Sequence, residues 1–156
     1  SKVIPTKEGR EICLLEESAV ELEKMIVDAK NNNVDISITS GFRSFEIQEI
    51  LYENRNTTAE EESIAIPGHS EHQLGTTIDI TSAEIGNASA STLLKNTKAF
   101  EWMSENAHKY GFVMSYPENR DTGYIFEPWH WRYVGAEIAK EIKTKKLTIQ
   151  QYLGEI

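Results

Sequence analysis

The chain has 156 residues, 39% of them apolar and 26% charged. That is enough to bury a sizeable core in one domain, residues 1–156, without disulfide support, and too hydrophobic for a disordered segment. Its 25 acidic and 16 basic residues leave a net charge of −9, which argues against a basic face that tracks nucleic-acid phosphates. Cys13 is the only cysteine, so no intrachain disulfide forms and any zinc site has to be assembled from His, Asp or Glu. No apolar run reaches the length of a membrane span, and no signal-type apolar segment is visible. Because the chain starts at Ser1 rather than Met, the expectation is that a leader or membrane anchor has been removed. A compartment outside the cytoplasm is favoured and the cytoplasm stays open.

In chain order, an irregular start leads into a predicted helix over Glu16 to Asn31, where Leu15, Ala19, Leu22, Ile26 and Ala29 recur at steps of three and four. Val34 to Thr39 alternates apolar and polar residues, the period of a strand with one buried face. Ser40-Gly41 ends that strand, and Ser44 is placed to cap a helix through Arg55 that buries Ile47, Ile50 and Leu51. Asn56 to Ser63 reads as a loop and Pro67-Gly68 as a turn. A strand is predicted over Leu74 to Thr81. One long helix follows over Thr92 to Lys109, burying Leu94, Phe100, Met103 and Ala107, with Gly111 as its C-terminal cap. Strands over Phe112 to Ser115 and Tyr124 to Tyr133 flank a Pro/Asn/Asp/Gly turn. Helices near Ala136 to Lys143 and Ile149 to Leu153 close the chain. Late hairpin-like strands with separated helices favour α+β over an alternating parallel sheet.

The segment PGHSEHQLGTTIDI places Asp79 between Ile78 and Ile80, where a carboxylate is costly unless a cation or hydrogen bonds compensate it. His72 and Asp79 flank the transition from turn to strand, and His130 lies in FEPWHWRY. Two imidazoles and a carboxylate are a suitable donor set for a catalytic zinc, whose fourth position stays open. Glu127, three residues before His130, is a candidate general base, brought to the same side by the bend at Pro128. Plainer readings fit the same residues: each His as a hydrogen-bonded core residue, Asp79 as a turn cap, and the aromatic run Tyr124, Phe126, Trp129, Trp131 and Tyr133 as strand packing. His108, near a helix C-terminus, fits an interaction with the helix dipole or solvent, and His69 is a weaker ligand candidate than His72.

At these residues the sequence resembles the zinc D-alanyl-D-alanine carboxypeptidases of the vancomycin-resistance type and their L,D-carboxypeptidase relatives. The pattern Ser-x-His-x-x-Gly-x-x-x-Asp stands here as Ser70, His72, Gly75 and Asp79, and Glu-x-x-His stands in EPWHWRYVG. SGFRS with Gln48 upstream, PGHSEHQLG in the middle and YGFVMSYPE before the last motif extend the likeness across Ile36 to Gly135. The resemblance implies an antiparallel sheet with flanking helices, of the lysostaphin and hedgehog-like zinc peptidase class. It also implies one zinc held by His72, Asp79 and His130, with Glu127 as base and Arg43 holding a peptide carboxylate or the developing oxyanion. Ser70 and Gln48 would add polar contacts. Thr76-Thr77 depart from the small or apolar residues often found between Gly75 and Asp79 in the family.

The implied partner is a bacterial peptidoglycan stem peptide or a precursor ending in D-Ala-D-Ala, handled by a monomer. Removal of terminal D-alanine is the leading expectation, with L,D-carboxypeptidase action on tetrapeptide stems as the alternative. Trp131, Trp129 and the Asn56 to Ile66 stretch are candidate readers of the residue on the acyl side. A noncatalytic wall-binding module is a third reading, against which Glu127 stands, because binding alone needs no base beside an open zinc position. No Gly-x-Ser-x-Gly elbow is present for serine chemistry.

Overall fold

The computed structural model describes residues 2–5, 11–55 and 64–154. The predicted loop at Asn56 to Ser63 lies outside them. Where the sequence reads as irregular, β1 (Lys2–Pro5) and β2 (Glu11–Leu14) form an antiparallel pair, with Val3 opposite Cys13. Four residues per strand are too few for alternation to register as a signal. Ile12 and Leu14 of β2 turn into the core.

Helix α1 (Glu16–Asn31) follows, with Glu16 and Glu17 in its first turn, where the helix dipole favours negative charge. Its buried face is Ala19, Leu22, Met25 and Ala29. Leu15 is half exposed and instead anchors the helix start by donating its N–H to the Gly75 carbonyl at 2.8 Å. Ile26 packs at the margin of the core.

A four-stranded antiparallel sheet carries the rest, in the order β3 (Ser37–Ser40), β4 (Thr77–Thr81), β6 (His130–Tyr133), β5 (Phe112–Met114). Ile78 faces Trp131 and Asp79 faces His130 across the β4–β6 ladder. Alternation sends Ile78, Ile80 and Trp131 to one side, where they pack with Leu22 and Met25 of α1 and with Met103 and Phe112. Asp79 and His130 therefore share the opposite face. Burying Ile78 and Ile80 fully contributes roughly 1.5–3 kcal/mol each, and fixes the register that brings the two polar residues together.

Helix α2 (Phe45–Glu53) is capped as expected, Ser44 Oγ accepting the Ile47 N–H at 3.3 Å. Its predicted apolar face is corrected: Ile47 and Ile50 are about half exposed and Leu51 is 38% exposed, while Gln48 is the residue it buries. A polar anchor, not an apolar stripe, holds this helix to the body. The predicted strand from Leu74 starts later, since Glu71–Leu74 forms a 3₁₀ turn closed by Gly75 in the left-handed region. The predicted helix over Thr92 to Lys109 is three pieces: 3₁₀ Thr92–Asn96, α3 (Lys98–Asn106) and 3₁₀ Ala107–Tyr110. Extended Thr97 separates the first two by accepting the Phe100 N–H and donating its hydroxyl to the Leu94 carbonyl.

Gly111 ends the third piece at φ +79°, as the sequence suggests. The predicted strand from Tyr124 shrinks to β6, because Glu127 to His130 is a turn in which the His130 N–H bonds the Glu127 carbonyl at 3.2 Å, with Pro128 inside it. Helices α4 (Ala136–Lys145) and α5 (Ile149–Leu153) fall where expected. Their Ala139, Ile142 and Ile149 pack on Val113.

Candidate metal centre

Three segments deliver the site. The 3₁₀ turn supplies His72, β4 supplies Asp79, and β6 with its entering turn supplies His130 and Glu127. One donor atom from each of His72, Asp79 and His130 lies within 4.8 Å of the others. His72 Nε2 is 3.2 Å from Asp79 Oδ2, and His130 Nδ1 is 3.2 Å from Asp79 Oδ1. The two imidazole rings stand edge to face at 5.0 Å.

The outward nitrogens are both engaged. His72 Nδ1 donates to the Gly41 carbonyl at 2.8 Å, and His130 Nε2 donates to Glu71 Oε2 at 2.9 Å. A hydrogen bond at one ring nitrogen fixes which nitrogen faces a metal, so His72 presents Nε2 and His130 presents Nδ1. Asp79 Oδ1 is buried and accepts no hydrogen bond of good geometry among the described residues. A buried, underserved carboxylate oxygen between two oriented imidazoles fits a divalent cation, and the donor types fit zinc.

Electrostatics point the same way. Burial opposes ionisation of Asp79, yet His72 and His130 hold it far below the usual carboxylate range. His130 is pushed up to about 10, its burial outweighed by Asp79 and Glu71. Glu127 is pushed up to about 7, first by burial and then by the charges of Asp79 and Glu71, with His130 and Arg43 opposing. Its Oε2 lies 3.5 Å from His130 Nδ1, and its own N–H is held by the Tyr116 carbonyl. A buried carboxyl within reach of the ligand set of a cation site can take and return a proton.

A cleft of about 140 Å³ opens over these groups, lined among others by Arg43, Ser70, Tyr116, Tyr124, Glu127 and Trp129. The Arg43 N–H bonds the His72 carbonyl at 3.1 Å. Burial lowers the Arg43 pKa, countered by Asp79 and Glu127, whose charges it feels. Two sequence expectations are corrected. Gln48 is fully buried and does not line the cleft; its Oε1 accepts from Arg43 Nη1 at 2.7 Å and its Nε2 donates to the Ala65 carbonyl at 2.6 Å, so it holds Arg43 from behind. Trp131 sits on the core side of β6, its indole N–H on the Pro128 carbonyl. There it borders a separate depression of about 330 Å³ beside Met103 and Phe112.

His69 is exposed and outside the donor cluster, and His108 is half buried with Nδ1 unpaired among the described residues. Glu71 and Tyr116 were missed by sequence reasoning. Glu71 reaches His130, and the Tyr116 ring packs 4.9 Å from the His130 ring and 4.6 Å from Tyr124.

Antiparallel sheet, flanking helices and a His/Asp/His set with a buried Glu define a small metallopeptidase-type domain. The chain belongs to the VanY D-alanyl-D-alanine carboxypeptidase family, which residues 11–136 match. It is 36% identical over 146 residues to YodJ of Bacillus subtilis, covering 90% of this chain and 53% of that protein. Against the D-alanyl-D-alanine carboxypeptidase of Enterococcus faecium it is 34% identical over 91% of this chain and 44% of that protein. The chain thus spans about half the length of these curated relatives. Among solved structures it resembles the LdcB LD-carboxypeptidase at TM-score 0.83 and 35% identity, covering 94% of this chain and 70% of that one. VanYB in complex with D-alanine-D-alanine matches at TM-score 0.79 and 29% identity, covering 98% and 88%. A VanY mutant in complex with Zn(II) matches at TM-score 0.77 and 29% identity, covering 97% and 89%. The α+β zinc peptidase fold is that of these neighbours.

Proposed function

We propose that this chain is a single zinc D,D-carboxypeptidase domain that removes the terminal D-alanine from peptidoglycan stem peptides or from precursors ending in D-Ala-D-Ala. The observation that carries the reading is the convergence of His72, Asp79 and His130 within 4.8 Å, with the Glu127 carboxyl beside them. Zinc held by these three supplies Lewis acidity at the scissile carbonyl. Glu127 takes a proton from the attacking water and delivers it to the departing amine of D-alanine as the amide C–N bond breaks. Arg43, braced by Gln48, binds the terminal carboxylate or the developing oxyanion, and Ser70 adds a hydroxyl to the cleft wall.

All of these groups come from one chain, in keeping with a monomer. No helix among the described residues is long and apolar enough to cross a membrane. Action on the stem peptides of the wall favours a place outside the cytoplasm for the bacterial protein, and action on precursors is compatible with the cytoplasm.

A second reading, L,D-carboxypeptidase action on a tetrapeptide stem, is favoured by the likeness to LdcB. Mass spectrometry of matched pentapeptide and tetrapeptide stems after incubation separates the two. Faster D-alanine loss from the pentapeptide is expected. Loss from the tetrapeptide alone reverses the preference, and loss from neither refutes the carboxypeptidase reading.

A further inference from the structure

His130 has two nitrogens and only Nδ1 faces Asp79. For Nδ1 to offer a lone pair to a cation, the ring proton has to reside on Nε2, and the imidazole must not rotate about its bond to the strand. The group that meets Nε2 is the Glu71 carboxylate at 2.9 Å. That carboxylate is itself pinned: Oε1 accepts from Arg132 Nη1 at 2.9 Å, and Oε2 also accepts from Ser115 Oγ at 2.5 Å. Arg132 stands two residues after His130, on the same face of β6, and Ser115 follows β5 directly. With both oxygens engaged by these donors, the carboxylate is a fixed acceptor.

We infer that Glu71 is a positioning residue for the metal centre: it sets the tautomer and orientation of His130 while its neighbour His72 supplies a ligand directly. This rests on His72, Asp79 and His130 holding zinc. The two imidazoles are oriented by unlike acceptors, a neutral carbonyl behind His72 and a carboxylate behind His130. An acceptor carboxylate raises ligand basicity as well as fixing the ring. One 3₁₀ turn thus governs two of the three ligands.

An ordinary ion pair with Arg132 would leave the same contacts, so the test separates the roles. Glu71→Gln is nearly isosteric but has one acceptor oxygen. Arg132, which can only donate, competes for that oxygen and leaves the amide N–H to face His130 Nε2. Zinc affinity is measured by competition with a chelator, and the cobalt(II)-substituted protein is followed by its visible spectrum. Glu71→Gln and Glu71→Ala are expected to lose roughly 10- to 100-fold in zinc affinity and to shift the cobalt bands. Arg132→Gln, which leaves the carboxylate on Nε2, keeps the bands in place and stays closer to the parent in affinity. Parent-like affinity and spectrum in Glu71→Gln overturn the inference, as does an Arg132→Gln variant indistinguishable from Glu71→Gln. His72→Ala is the control: if it too binds zinc like the parent, the zinc reading fails, whereas its loss alone refutes only the role of Glu71.

Discussion

Asp79 illustrates how a charge survives between Ile78 and Ile80. The isoleucines go to the core and the carboxylate to the other face, between two imidazoles. That much was legible from the strand period and from the spacing of His72 and Asp79. Other residue roles are missed or misread from the sequence. Glu71 is an unassigned position inside its motif, and only the shared face of His130 and Arg132 hinted at a partner there. The family resemblance makes Gln48 a substrate contact, and the sequence does not show that it lies behind Arg43. Trp131 was assigned to the cleft, although alternation with His130 already put it on the far face.

Glu127 gives two expectations. Glu127→Gln should keep zinc, by metal analysis, and lose about 10²- to 10⁴-fold in kcat; undiminished turnover would remove it from the chemistry. In the metal-free protein its carboxyl is raised from an ordinary 4.5 to about 7. Across that window the unfolded chain has released a proton that the native state retains, so this group's contribution to stability falls as pH rises from roughly 4.5 through 7. Urea midpoints of metal-free parent and Glu127→Gln at pH 5 and pH 7 check the sign. The Gln variant should gain on the parent at the higher pH.

At the scale of elements, helix and strand types were mostly readable, and the errors have physical causes. Short β1 and β2 carry no period, Thr97 interrupts a helix by capping the next one, and the Glu127 to His130 turn replaces half a predicted strand. α2 shows the limit of patterning, since an apolar run at helical spacing stays exposed while a buried amide makes the attachment. Gly111 tests how tightly these pieces are joined. At φ +79°, an added Cβ would stand 2.6 Å from Tyr133 Cε2, and Tyr133 belongs to the strand that carries His130. Gly111→Ala should cost more than about 1 kcal/mol, from the strained backbone and the clash, seen as a lowered Tm. An unchanged Tm would contradict that close approach.

At the scale of the whole molecule, an acidic chain sets Arg43 in the cleft beside Asp79 and Glu127, which suits the anionic peptide end proposed as its ligand. Arg43→Ala should leave zinc content intact while raising KM and lowering kcat for a peptide with a free terminal carboxylate. A parent-like kcat/KM for that peptide would assign Arg43 a purely structural role. The D,D and L,D alternatives share this anchor and differ only in what the outer cleft accepts, so the claim beneath both is the metal. Its most direct test is zinc analysis of the purified protein beside His72→Ala and His130→Ala, after dialysis and after adding zinc. The expected result is about one zinc per chain in the parent, lost in both variants. An undiminished zinc content in both variants, or a parent that takes up no zinc when it is supplied, would contradict the account.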